Sequence, residues 1–284
     1  MNRAWNILCW NVRGINAAEK WPNIRNKIDE SNCEIFCFQE TKKENFDSSF
    51  LRNFAPRNFG KFLFAPSVGA AGGSIVGWNG SLFDGTVIEI QPFAVSVCFS
   101  SRLDLNVWNL TAVYGPCTEP ARSSFVSWFR NLDIQNNDNW ILLGDYNFYR
   151  SLENRNRAGG NFQDTQIFND VIDHLGLVEL PSKGRAFTWS NMQSIPLLEQ
   201  LDWFFTSVNW TYDFPNTMVS PLARSTSDHV PCKVSIGTKI PKSNIFRFEN
   251  YWMSHRSFTS TVHNSLNKPI SNTADSVSVL SAKI

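Results

Sequence analysis

The sequence predicts an α/β fold built from two packed sheets with helices on the outside. Three observations predict it. One plan occurs twice, from Ala4 to Glu40 and from Leu105 to Asp145: strand, polar strand end, helix, strand. The run Trp140-Ile141-Leu142-Leu143 carries no polar position, as a strand buried on both faces requires. Hydrophobic residues make up 42% of the 284, with 11 Trp and 23 Phe, which is enough for a sizeable core.

Taken in order, Ala4 to Trp10 reads as a strand that delivers Asn11-Val12-Arg13-Gly14 at its end. Trp21, Ile24 and Ile28 recur at helical spacing, so Ala18 to Glu30 is predicted as an amphipathic helix. Glu34 to Gln39 is the next strand, ending on Glu40-Thr41-Lys42. The stretch from Gly69 to Ser74 lacks the Gly-Lys-Ser/Thr of a phosphate loop, and the strand Ile75–Trp78 follows it where a helix would be needed. It reads as a strand-entry turn. Further strands are predicted over Thr86–Ile90, Val95–Phe99 and Leu105–Val113, the last ending on Tyr114-Gly115-Pro116. Ala121, Phe125, Trp128, Phe129 and Leu132 mark the following helix, and Ile167, Phe168, Val171, Ile172 and Leu175 another. Apolar runs at Leu177–Leu180, Phe187–Ser190 and Leu201–Phe205 then lead to Ser227-Asp228-His229. Beyond Lys239 the texture changes: Ile245–Trp252 is aromatic and the remainder is rich in Ser, Asn and Thr. The expectation is a main domain over residues 1–238, with 239–284 a C-terminal appendage or the start of a linker.

Bulk properties narrow the function. The formal charge is +1, so no global field draws in a polyanion, and such a partner must be held by a local basic patch or a bound cation. The six cysteines form no Cys-x-x-Cys pair and the four histidines are scattered, which argues against a zinc site and for packed, reduced thiols inside a cell. Neither a signal peptide nor an apolar run approaching about 18 residues occurs, so no membrane role is expected.

Chemistry concentrates at the strand ends. Asn11, Glu40, Tyr114, the Asp145/Asn147 pair, Asp202 and Asp228/His229 each stand next to an apolar run. Residues two apart on an extended chain point the same way, so Asp145 and Asn147 are expected to address one ligand. Singly, each has an ordinary reading: a solvated strand end for Glu40, a Gly-Pro turn for Tyr114, a helix cap for Ser227-Asp228. Together they form the inventory that phosphodiester hydrolysis needs. One carboxylate holds a divalent metal, a second orients or deprotonates water, and neutral and cationic donors hold the phosphate. A His oriented by an Asp stabilises charge at phosphorus.

These motifs resemble those of the endonuclease/exonuclease/phosphatase superfamily. They are Cys-Trp-Asn-Val-Arg-Gly around Asn11, Phe-Gln-Glu-Thr-Lys around Glu40, Val-Tyr-Gly-Pro at Tyr114, Gly-Asp-Tyr-Asn at 144–147, Leu201-Asp202 and Ser227-Asp228-His229. Gly-Arg-Ala-Phe-Thr-Trp-Ser-Asn (184–191), Gly-Leu-Val-Glu-Leu (176–180) and Phe-Arg-Phe-Glu-Asn-Tyr-Trp (246–252) are most similar to the endonuclease domain of plant LINE-type (non-LTR) retrotransposon polyproteins. The resemblance implies a four-layer sandwich of two mostly antiparallel sheets that nicks DNA in the nucleus with Mg²⁺, or with Mn²⁺, leaving a 3′-hydroxyl. It implies that Glu40 binds the metal, with Asn11 and Asp228 close by. Asp145 would position or deprotonate water, and Asn147 and Tyr114 would hold the phosphate. Asp202 would orient His229, and Thr188 would lie near the phosphate backbone. DNA is the expected partner, with no membrane and no small-molecule cofactor, for a domain that is monomeric in isolation.

Arg13, Lys42, Lys43, Arg155, Arg157 and Arg185 flank these strand ends and are the expected DNA-backbone contacts. Two departures from the family pattern stand out: Tyr146 where Phe is usual, and Trp203 where many relatives have Arg, which is expected to remove a cation near the site. Two other readings share the inventory. One is a relative with the same chemistry, an abasic-site nuclease or a phosphatase acting on inositol phosphates or lipids. The other is an inactive, retrotransposon-derived remnant that folds and binds DNA without turnover.

Overall fold

Alternation along the central strands decides the architecture. In β1 (Trp5–Asn11), Trp5, Ile7 and Cys9 pack into one cluster while Leu8 and Trp10 pack into the opposite one. A computed structural model describes residues 4–237, 253 and 257–267. The other strands before residue 120 are β2 (Ile35–Gln39), β3 (Lys61–Val68), β4 (Ala71–Trp78), β5 (Phe83–Gln91), β6 (Ala94–Ser101) and β7 (Val107–Tyr114). After it come β8 (Trp140–Asp145), β9 (Val178–Glu179), β10 (Trp189–Ser190), β11 (Leu198–Glu199), β12 (Asp202–Thr206), β13 (Met218–Pro221) and β14 (Cys232–Ile236). Helices are α1 (Trp21–Ser31), α2 (Ser48–Leu51), α3 (Ala121–Arg130), α4 (Phe162–His174) and α5 (Val208–Asp213).

The strands form two six-stranded sheets, ordered β13-β14-β1-β2-β4-β3 and β5-β6-β7-β8-β12-β9, plus the ribbon β10-β11. Each six-stranded sheet has one parallel pair, β1–β2 in the first and β7–β8 in the second. Its other neighbours run antiparallel. A parallel pair needs a crossover, and α1 and α3 supply them. The repeated plan in the sequence is this pair of strand-helix-strand units.

Ile7, Cys9, Ile35, Val76, Val97, Leu110, Ile141 and Phe204 fill the space between the sheets. On one outer side Ile24 and Ile28 of α1 cover Leu8, Phe36 and Phe38. On the other, Phe125 of α3 and Phe168 of α4 cover Leu142, Trp203 and Phe205. The layers are therefore helix, sheet, sheet, helix, as the sequence predicts.

Several expectations need adjustment. A short 3-10 turn, Ala18–Lys20, precedes α1, whose true start carries Pro22 in its first turn. The glycine-rich stretch is the turn between β3 and β4 plus the first residues of β4. β3 has no counterpart among the expected strands; it is an edge strand that contains Pro66, where a missing backbone donor costs no ladder bond. Nor do β13 and β14, which are short, β14 alternating between buried and half-buried positions.

The chain divides into two units, Met1–Lys239 and Ile240–Ile284. The second contains α6 (Phe258–Leu266), and the expected aromatic stretch Ile245–Trp252 lies outside the described residues. No described helix is long and apolar enough to cross a membrane. All six cysteines are free thiols.

Candidate active site

The alternation that packs the core also delivers the polar residues. The inward row of β1 continues from Cys9 to Asn11, that of β7 from Ala112 to Tyr114, and that of β8 from Leu143 to Asp145. On β12 the inward row runs from Phe204 back to Asp202. By register Tyr114 and Asp202 lie on either side of Asp145, one on each neighbouring strand. The site is thus the mouth of the space between the two sheets.

Gly144 makes this junction close. It adopts φ +142°, and a Cβ there would stand 2.0 Å from the Val113 carbonyl oxygen, so only glycine lets β8 lie against β7 while Asp145 turns inward.

Asn11 reaches across from the first sheet, and its Nδ2 donates to Asp145 Oδ2 at 2.9 Å. His229 Nε2 lies 3.5 Å from the same oxygen, and His229 Nδ1 lies 2.9 Å from Asp202 Oδ2. Asp145 is 1% exposed, Asp202 3% and His229 4%. The loop bearing His229 is tied to β1: Ser227 Oγ donates to Asn11 O at 2.7 Å and accepts from the His229 amide at 3.1 Å. Trp10 Nε1 adds a bond to the His229 carbonyl at 3.2 Å.

Electrostatics follow from this burial. Desolvation pushes the Asp145 carboxyl up to about 7, against the pull of His229 and with a further rise from Asp202. For His229, burial disfavours the imidazolium, but Asp202 and Asp145 more than offset it and push the ring up to about 9. Burial, then Glu40 and Asp145, raise the Tyr114 phenol well above its usual value, which keeps it a neutral donor.

Glu40 and Asp228 flank this buried cluster, and each is held by a cation from the expected DNA-binding set. Lys42 Nζ lies 3.0 Å from Glu40 Oε1, and the Arg13 guanidinium pairs with Asp228. Asp228 Oδ2 also accepts from Trp189 Nε1 at 2.9 Å.

The remaining expected residues fall into place less uniformly. Asn147 is not a continuation of the strand: β8 ends at Asp145, and Asn147 adopts φ +55°. Its amide N–H bonds Asp145 Oδ1 at 3.1 Å and its Nδ2 donates to Gly115 O at 2.7 Å, so the turn, not strand alternation, places it beside Asp145. Thr188 is buried, and its hydroxyl accepts from the amides of Leu201 at 3.2 Å and Asp202 at 3.1 Å, which anchors the Asp202 end of β12. Lys43 Nζ sits 3.8 Å over the Phe50 ring. Arg155 pairs with Glu199 at 2.8 Å and Arg157 donates to the Ile195 carbonyl, so both tie their loop to the β10-β11 ribbon. Arg185 is exposed. Trp203 corrects an expectation: it lies on the opposite face of β12 from Asp202, buried, with Nε1 donating to Phe148 O at 2.8 Å. The side chain at 203 faces the helical layer, so its identity takes no cation from the site.

Three contributors were not singled out by sequence: Ser227 as a brace, Trp189 on Asp228, and Lys20, whose Nζ bonds the carbonyls of Arg13 at 2.7 Å and Gly14 at 3.2 Å. Ser227 stands in the Ser-Asp-His motif and was legible there; the Trp189 contact joins positions 39 apart, and the Lys20 contact depends on the turn after β1. Beside Asn147 opens a cleft of about 410 Å³, lined among others by Cys117, Arg122, Tyr149, Asn161 and Glu199.

The donor types fit a hard divalent cation: Glu40, Asp145, Asp228 and Asn11 carry oxygen ligands, the chemistry that suits Mg²⁺ or Mn²⁺ and not a thiolate-seeking metal. Among the described residues, Asp145, Asp202 and His229 form the group whose donor atoms lie within 4.8 Å of one another. The imidazole nitrogens there are already engaged with carboxylates, and Glu40, half-buried, is the most accessible carboxylate of the set.

The sequence profile of the endonuclease/exonuclease/phosphatase family matches residues 8–229. Among solved structures, the chain is similar to the AP endonuclease LMAP from Leishmania major, with 15% identity and a TM-score of 0.65 over 82% of this chain and 88% of that one. It is similar to the catalytic domain of Xenopus laevis APE2, with 17% identity and a TM-score of 0.63 over 82% and 91% of the two chains. For the endonuclease domain of TRAS1, a telomere-specific non-LTR retrotransposon, the values are 14% and 0.61 over 82% and 98%. At such identities the likeness bears on the fold. No curated protein matches the sequence.

Proposed function

The chain belongs to the endonuclease/exonuclease/phosphatase family, and from that premise we propose that it is a Mg²⁺-dependent DNA endonuclease that nicks one strand. The observation that carries the reading is the buried chain Asn11–Asp145–His229–Asp202 at the mouth of the sandwich. A buried carboxylate and a buried ion pair are costly to hold, and their cost is justified where they act on a reacting phosphate.

In this reading Asp145 orients the attacking water and takes its proton. The water oxygen bonds to phosphorus, the P–O3′ bond breaks to leave a 5′-phosphate, and the leaving 3′-oxygen takes a proton from solvent to become a 3′-hydroxyl. The imidazolium of His229, held by Asp202, and the neutral amide of Asn147 and phenol of Tyr114 neutralise charge on the phosphoryl oxygens. Glu40, with Asn11 and Asp228 near it, would hold the cation. When bound, Mg²⁺ supplies positive charge at the phosphate and the leaving oxygen. Residues 1–238 form the catalytic domain in this account, acting on nuclear DNA as a monomer, with 239–284 appended to it.

Supercoiled plasmid incubated with the purified protein tests the reading. Relaxed circle in Mg²⁺ and none in EDTA supports it. Cleavage confined to an oligonucleotide with an abasic site, or hydrolysis confined to an inositol phosphate, would replace it with a relative of the same chemistry. Metal binding with no turnover of any of the three would mark an inactive remnant.

A further inference from the structure

The two outer carboxylates are each paired with a cation that a DNA backbone would also attract. Arg13 holds Asp228 and Lys42 holds Glu40. The pairing is built into the backbone. Arg13, Glu40 and Lys42 adopt φ of 49°, 52° and 54°, left-handed conformations that non-glycine residues take at a steric cost. The two loops are also zipped together: Gly14 N bonds Glu40 O at 2.7 Å and Ile15 N bonds Thr41 O at 3.0 Å, while Lys42 N bonds Gly72 O of β4 at 3.0 Å. A third cation, Lys20, is fixed on the backbone carbonyls of Arg13 and Gly14, and burial together with Lys42 lowers its pKa. Lys20 is thus committed to the loop. Arg13 and Lys42 keep 54% and 33% of their side chains exposed, while Asp228 and Glu40 show 6% and 18%. In each pair the cation is the more exposed partner.

We propose that Arg13 and Lys42 are exchangeable counter-ions: a divalent cation held by Glu40, with Asp228 near it, displaces them, and both then bind DNA phosphates. This rests on the metal-dependent reading above. A divalent ion takes over the charge compensation of both carboxylates and repels the guanidinium and the ammonium. Each has exposed length enough to turn outward, toward the solvent side of the same mouth. Metal and DNA then favour each other's binding, since a coupling between two ligands acts equally in both directions. The arrangement also keeps the outer carboxylates neutralised, so that DNA does not meet a bare acidic rim.

The test uses the full chain and the variant Arg13→Gln/Lys42→Gln, with Ca²⁺ as the probe cation. Circular dichroism establishes that the variant is folded, and Lys43→Gln, whose ammonium sits on Phe50 and holds neither carboxylate, serves as a control for lost charge. Calorimetry without DNA should show Ca²⁺ bound about fivefold or more tightly by the double variant, the low end of ordinary coupling. Anisotropy of a labelled duplex, checked intact on a denaturing gel, gives the salt dependence. For the wild type the log–log slope should be about 1.8 more negative in Ca²⁺ than in EDTA, from two added phosphate contacts at about 0.9 each. In the double variant the two slopes should coincide, and in Lys43→Gln the difference should persist. Unchanged or weaker Ca²⁺ binding by the double variant, or equal slopes in the wild type, overturns the exchange. Plasmid nicking is scored separately: coupling without nicking overturns the nuclease reading alone, and nicking without coupling overturns the exchange alone.

Discussion

Asp202 Oδ2 lies 2.9 Å from His229 Nδ1, and the two buried side chains are 27 positions apart in the chain. The carboxylate fixes which ring nitrogen faces the site and compensates the imidazolium there. Asp202→Asn removes that charge while keeping the shape. The His229 titration followed by NMR should then fall from about 9 toward the ordinary histidine range, and DNA nicking should drop about 10²-fold, as when one transition-state donor is removed. An unmoved titration would dissolve the pair as an electrostatic unit.

The same pair makes stability depend on pH with a definite sign. His229 has its pKa raised in the folded protein to about 9 from an ordinary value of 6.5. The folded state therefore binds the proton more tightly than the unfolded chain does. Its contribution is fully present below pH 6.5 and is lost as the pH rises through 9. Urea unfolding at a series of pH values should show wild-type stability declining from pH 6.5 to 9.5, and His229→Gln should flatten that decline. A wild-type curve as flat as the variant's would contradict the assignment.

Tyr146 offers a prediction of opposite sign. Its ring packs among Phe125, Phe129, Phe168 and Phe205, and its buried hydroxyl has no hydrogen-bond partner among the described residues. An unsatisfied buried hydroxyl costs about 1 kcal/mol or more, so Tyr146→Phe should stabilise the protein by about that amount. The urea midpoint measures it; a fall in midpoint would mean that the hydroxyl is satisfied. Nicking should be unaffected, because the ring faces the helical layer.

Most of the architecture was legible because the central strands of both sheets are buried on both faces. Runs such as Trp140–Leu143 leave no ambiguity about a strand, and the polar residue that ends each run marks the mouth of the sandwich. β3 was hidden by Pro66 and by its place at a sheet edge. Strand parity would have placed Trp203 correctly: Asp202 faces inward, so its neighbour faces out. Asn147 could not be placed that way, since a left-handed turn breaks the alternation just after Asp145. The pairing of Arg13 with Asp228 joins positions 215 apart and has no local signature at all.

Asp145 is held at the junction of the two sheets by Asn11 and His229. Asp145→Asn keeps the shape of the side chain and removes its capacity to take a proton. Single-turnover nicking of supercoiled plasmid in saturating Mg²⁺ is the most direct measurement. The rate should fall about 10³-fold, the upper range for one positioned acid–base or electrostatic group, while duplex binding and the urea midpoint hold. A variant that nicks within about threefold of the wild-type rate, far short of what such a group contributes, would contradict the claim that this carboxylate does the chemistry.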